Sequence, residues 1–201
     1  LGCSQEETFK KAGELGLGCL AMAGGGPDRL TQLIQAYRNS IKDTKPVGKR
    51  VQDKVSISML AICSESRQKA QERGAEILDW YRHQQNIRDV RVWQEQDSTT
   101  VPDDYQWHYQ RSTASDLPKR DDASSLDLIK SGRYCIGNPD DCLRYLEQYS
   151  VTGVDEIMPL FQIGPIAHQE VMETLRLFGK HVIPPLTKQG LATEATTTGD
   201  G

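Results

Sequence analysis

Two periodicities alternate along the chain. Phe9, Ala12, Gly13 and Leu15 share one face of a helical projection, which predicts a helix over about 5–15. Ser4 and Glu7 form the Ser-x-x-Glu pattern of a capping box at its start. Gly16 to Ala23 is a short apolar run closed by Gly24, Gly25 and Gly26, the form of a buried strand of a parallel sheet. Pro27 and Asp28 then open a helix whose Leu30, Leu33, Ile34, Tyr37 and Ile41 keep core-facing spacing until Pro46 and Gly48 break it. Val55 to Cys63 is β-branched and apolar and predicts a second strand. Ser64 is placed to cap the helix that carries Ala70, Ile77, Leu78 and Tyr81.

From about 85 to 132 the pattern gives way to charges, prolines and isolated aromatics, and a polar insertion is expected there, of the kind that forms a mobile lid. Periodicity returns at Asn138, where a cap, Pro139 and the acids Asp140 and Asp141 agree on a helix start, with Leu143, Leu146 and Tyr149 as its face. Gly153 ends that helix, and Val154 to Phe161 predicts a third strand weakened by Pro159. A last helix is expected over Ile166–Val182, stopped by Pro184 and Pro185, with a disordered tail over 186–201. Helices alternating with strands imply an α/β fold with parallel strands and helical crossovers. Three strands cannot cover both faces of such a sheet, so the pattern reads as a piece of something larger.

Composition narrows the partners. No apolar stretch is long enough to span a membrane, and a net charge of -4 with dispersed Lys and Arg offers no field for nucleic acid. Cys3, Cys19, Cys63, Cys135 and Cys142 are odd in number and lack CxxC spacing, which points away from a disulfide framework or zinc site and toward a cytoplasmic location. The four histidines, His83, His108, His168 and His181, are scattered among polar neighbours and read as surface residues.

Candidate chemistry is sparse. Gly16, Gly18 and Ala21 spell the dinucleotide fingerprint, but here a helix precedes and a strand follows, the reverse of what that motif requires. The triple glycine lacks the Gly-Lys-Ser/Thr ending of a phosphate loop. Ser4 is the residue with a specific chemical reading. A hydroxyl beside the free N–H groups of a helix start can hold a phosphate, although Glu6 and Glu7 oppose an anion there.

Residues Ser131 to Pro184 carry a Gly-x-Pro-acid helix start (Gly137 to Asp141), a Gly-Val-Asp-Glu entry to the last strand (Gly153 to Glu156), and a Leu-Phe-x-x-x-Val-x-Pro ending (Leu177 to Pro184). Thr8, Phe9, Ala12, Gly13 and Gly16 add a Thr-Phe-x-x-Ala-Gly-x-x-Gly pattern. Together these resemble the C-terminal part of bacterial-luciferase-like flavin-dependent monooxygenases. The resemblance implies the C-terminal portion of a (β/α)8 barrel, its N-terminal strands missing, entered at the end of strand five, with strands six to eight at 17–23, 54–63 and 154–161. It implies reduced FMN as cofactor, held by Ser4, Thr8, Met22 and Ala23, and a pocket for a small organic substrate at Phe161 and Gln162. O2 is the expected co-substrate, a flavin reductase the electron source, and a homo- or hetero-dimer the complete assembly. The catalytic acid or base would lie on strands absent from the chain. A deazaflavin-dependent oxidoreductase and an inactive truncated partner subunit remain open as alternatives. Glu6, where several relatives have Pro, and Pro159 depart from the family pattern.

Overall fold

The computed structural model describes residues 1–23, 26–94, 97–106, 109–110 and 123–188. Five parallel strands form one sheet: β1 (Gly2–Cys3), β2 (Cys19–Met22), β3 (Val55–Cys63), β4 (Cys135–Gly137) and β5 (Glu156–Leu160). The helices are α1 (Glu6–Glu14), α2 (Gly26–Ser40), α3 (Arg67–Gln94), α4 (Ser125–Lys130), α5 (Pro139–Glu147), α6 (His168–Leu177) and α7 (Ile183–Lys188). β2 lies between β1 and β3, with Cys3 opposite Ala21 and Met22 opposite Ser58. β5 follows the other edge of β3 from Ser56 to Leu60, and β4 pairs with the last three residues of β3. Among the described residues β1 pairs only with β2, and β5 only with β3.

The two faces of this sheet differ. On one, Cys3, Cys19, Ala21, Val55, Ile57 and Met59 meet Phe9, Ala12, Leu30, Ile34 and Tyr37 of α1 and α2 in a buried core. Such alternation places Leu20, Met22, Met158 and Leu160 on the opposite face, where they are 48%, 47%, 39% and 40% exposed. Parallel sheets are normally covered on both faces, so one helix-packed and one bare apolar face is the signature of a barrel wall without its opposite wall. The chain is thus an α/β structure forming part of a barrel. A second cluster, with Leu60, Ile62, Ile77, Leu78, Ile136, Ile163 and Ile166, packs α3 onto the C-terminal end of β3, and Phe161 touches both clusters.

Local structure follows the sequence with several corrections. The cap of α1 sits one residue later than the Ser4–Glu7 box: Gln5 is the capping residue, and Thr8 Oγ1 accepts from the N–H groups of Ser4 and Gln5 at 3.1 Å each. Thr8 competes successfully because its hydroxyl also donates to Gln5 O at 2.7 Å. Gly16 ends the helix as expected, with φ at 67° and Leu17 N donating to Ala12 O at 2.9 Å. The Asn138 cap holds in full, with reciprocal bonds between Asn138 and Asp141 of 3.0 and 3.1 Å.

Ser64 does not cap α3; Ser66 lies at its start, accepting from Lys69 N at 3.3 Å, while Ser64 Oγ donates to Glu173 at 2.7 Å. The expected insertion begins later than 85, since α3 continues to Gln94; that stretch contains neither Pro nor Gly, and the breakers lie beyond it. Residues 111–122, the centre of the expected insertion, and the tail from 189 lie outside the described residues. Pro184 and Pro185 do not end the last helix. A π-helical turn over Phe178–Val182, closed by Ile183 N donating to Phe178 O, leads into α7, whose first turn holds both prolines. Pro159 is accommodated in β5 because that strand lies at an edge. Among the described residues no helix is long and apolar enough to cross a membrane.

Candidate functional site

Because every strand is parallel, the segments that follow them meet along one rim. Ser4 follows β1, Met22 and Ala23 end β2, Ser64 follows β3, Asn138 follows β4, and Phe161 and Gln162 follow β5. In α/β barrels this is the rim that carries ligand and catalytic groups, since helix N-termini and loop side chains converge there.

At the β1 end of the rim the Ser4 side chain is exposed, and among the described residues its hydroxyl forms no hydrogen bond. Arg29, in the first turn of α2, reaches over and donates to Gln5 Oε1 at 3.3 Å. That places a guanidinium beside the start of α1, a contact 24 residues apart in sequence that no motif announced. Glu6 turns away to pair with Lys10, which reduces its opposition to an anion at this end. Thr8 is committed to the cap on both its donor and acceptor sides.

Met22 stands on the bare face, and Ser58 Oγ donates to its Sδ at 2.8 Å. Ala23 is half-buried, its N–H bound to Ser58 O at 2.8 Å, and it packs against the helix-side core. Phe161 is half-buried and meets Phe178 edge-on at 4.9 Å between centroids, whereas Gln162 is exposed. The loop after β5 is held from outside by α3. Arg73 donates to Pro165 O at 3.2 Å and pairs with Glu170, and Trp80 lies so close over Gly164 that a Cβ there would stand 2.3 Å from its ring. Ser4, Met22, Ala23, Phe161 and Gln162 therefore lie along one rim, and the Thr8 hydroxyl is engaged in the first turn of α1.

Electrostatics on the rim centre on Asp141. Burial opposes its ionisation, but Arg67, the Asn138 N–H and Arg144 outweigh burial and hold the carboxyl below its usual range. A carboxyl depressed in the folded state stabilises the fold above its unfolded pKa of about 3.9, and that contribution disappears as pH falls through the folded value. Asp141→Asn is therefore expected to lower stability at pH 7 by about 1–2 kcal/mol, discounted for the exposure of Arg67. The gap should close toward pH 3, as read by urea unfolding at each pH, and an unchanged gap would refute the assignment. The five cysteines are unbridged and buried. Cys63 is pushed up by its contact with Cys142 and by burial, so it offers no reactive thiolate. Among the described residues no group of His, Cys, Asp and Glu is arranged to hold a metal.

A parallel α/β barrel wall whose strand ends and helix starts gather along one rim is the class that this geometry defines. Solved structures specify it further. The monooxygenase RslO1 from Streptomyces bottropensis superposes with a TM-score of 0.58 at 15% identity, over 92% of this chain and 46% of that one. The oxygenating constituent of 3,6-diketocamphane monooxygenase from Pseudomonas putida, a type II Baeyer–Villiger enzyme solved with FMN, gives 0.58 at 15% identity, over 91% and 46%. A coenzyme F420-dependent tetrahydromethanopterin reductase from Methanopyrus kandleri gives 0.51 at 19%, over 92% and 49%. The chain shares the fold of part of these three proteins and spans about half of their length. No protein-family model and no curated protein matches the sequence.

Proposed function

We propose that this chain forms the flavin-phosphate end of a luciferase-like monooxygenase, which uses reduced FMN and O2 to insert one oxygen atom into a small organic substrate. The observation that carries the reading is the start of α1, where the exposed Ser4 hydroxyl and the Arg29 guanidinium stand beside a helix N-terminus on the ligand rim. A hydroxyl donor, a cation and a helix dipole fit a phosphate monoester. Arg29 joins Ser4 in this assignment, and Thr8 supports both by fixing the first turn. FMN bound there would supply the redox chemistry, while the chain's residues bind the phosphate and wall the ring pocket through Met22, Phe161 and Gln162.

The residues do not name the electron source, and a flavin reductase is the partner that a reduced cofactor requires. The F420-dependent neighbour supports a second reading in which a deazaflavin occupies the same rim. Cofactor extraction from the complete protein separates the two. An inactive partner subunit is the reading left if no flavin binds.

The test is a comparison of FMN with riboflavin, which lacks the phosphate, in a protein that joins this chain to the strands closing its barrel. Ser4→Ala should weaken FMN about tenfold or more, the worth of a charge-assisted hydrogen bond. Riboflavin affinity should hardly change. Equal weakening of both ligands would reduce Ser4 to a structural residue.

A further inference from the structure

The loop from Phe161 to Ala167 joins β5 to α6 and begins with the two residues assigned above to the wall of the ring pocket, Phe161 and Gln162. Gln162 is exposed between half-buried Phe161 and buried Ile163. Ile163 and Ile166 anchor the loop in the cluster with Leu60, Ile62, Ile77 and Leu78. The rest of its anchorage comes from two side chains of α3, Arg73 and Trp80, which stand about two helical turns apart and so share a face. Arg73 grips Glu170 through two bonds, Nε to Oε1 at 2.9 Å and Nη2 to Oε2 at 3.3 Å, and Nη2 also donates to Pro165 O at 3.2 Å. Glu170 Oε2 accepts from Ala167 N at 3.0 Å, so one carboxylate ties the guanidinium to the start of α6. Trp80 covers Gly164, whose φ of 51° lies in the left-handed region, and a Cβ added there would stand 2.3, 2.4 and 2.8 Å from three ring atoms. All these contacts are made within the chain and do not depend on what covers the bare face.

We propose that Trp80 and Arg73 are positioning residues that fix the loop after β5, and with it Phe161 and Gln162, in the geometry that receives the flavin ring; this rests on the flavin reading above. Neither residue touches the ring. Their effect runs through the backbone at Gly164 and Pro165, two to four residues beyond the wall residues. A loop already held in its bound geometry costs little further ordering when a ligand arrives, whereas a loose one must be ordered at the expense of affinity. The clamp therefore acts on the ring and not on the phosphate, which sits at the opposite end of the rim beside Ser4 and Arg29. That separation gives it a signature of its own: loss of the clamp weakens FMN and riboflavin by the same factor, whereas loss of Ser4 weakens FMN alone.

The experiment has two arms. In the chain itself, Trp80→Ala should speed amide hydrogen exchange at Ile166 and Ala167 by about tenfold or more, while the amides of α1 keep their rates. Unchanged exchange in the loop would overturn the clamp. In the protein that joins this chain to the strands closing its barrel, the same variant should weaken FMN and riboflavin alike, by about fivefold or more, the ordering cost of two side chains. Arg73→Gln removes the bonds to Pro165 and Glu170 without touching the apolar cluster, and it must act in the same direction, with an unchanged circular dichroism spectrum. Faster exchange with unchanged affinity for both flavins would overturn the positioning role, and so would a loss confined to FMN. Wild type that binds neither flavin would overturn the flavin reading together with this role, an outcome separate from variants that fail to respond in a protein that does bind.

Discussion

Phe9→Ala is expected to lower the unfolding free energy by about 3–5 kcal/mol, the range for truncating a fully buried aromatic ring. Phe9 is fully buried in the cluster that joins α1 and α2 to β1, β2 and β3. Collapse around the lost ring is restricted. Gly13 lies one turn away in α1, and a Cβ there would stand 2.8 Å from Ser40 and 2.9 Å from Tyr37 O, so the two helices already touch at backbone distance. The cavity should therefore persist rather than close. Urea unfolding of wild type and variant measures the effect, and a loss below about 1 kcal/mol would show that this cluster does not hold the sheet.

The second large effect concerns the bare face. The isolated chain should self-associate in a concentration-dependent way, because β1 and β5 each present an unpaired edge beside exposed Leu20, Met22, Met158 and Leu160. Replacing Leu20 and Leu160 by Lys should shift the species from associated to monomeric, since both side chains point away from the helix-packed core. Light scattering during size-exclusion chromatography reads the change directly. A wild type that stays monomeric at high concentration and unfolds in one sharp transition would contradict the incomplete-wall interpretation. The Lys variant must retain its far-ultraviolet spectrum for the comparison to stand.

Strong local signals carried most of the fold. The central strand was legible from Val55 to Cys63 because β-branched and apolar residues run unbroken between polar breaks, and the Asn138 start was legible because three independent preferences coincide there. What failed was where side chains compete. Ser4 and Thr8 are both suited to capping α1, and only three-dimensional geometry shows that the Thr8 hydroxyl wins. β4 was missed because three residues give no periodicity; Cys135–Gly137 is a strand solely through its pairing with Ala61 to Cys63. The polar stretch after 85 hid the second half of α3, since charged residues without breakers are compatible with either loop or helix. At the rim, Ser4 was readable as a hydroxyl near a helix start, whereas Arg29 was not, because nothing local links it to Gln5. The contact of Trp80 with Gly164 is likewise a product of packing, invisible until α3 and the loop after β5 are brought together.

Thr174 completes the upper end of β3: Cys63 N donates to its hydroxyl at 3.0 Å, and the hydroxyl donates back to Cys63 O at 3.0 Å. A buried side chain thus occupies the place of a strand partner, across 111 residues of sequence. Synthesis from the N-terminus delivers β1, β2 and β3 early but β4, β5 and Thr174 only near the end. At roughly 5–20 residues per second, the end of β3 waits on the order of ten seconds on the ribosome for the residue that seals it. Through that interval β3 is an open edge of the nascent sheet, so the period of its exposure to chaperones and to aggregation is set by the distance between Cys63 and Thr174 along the messenger.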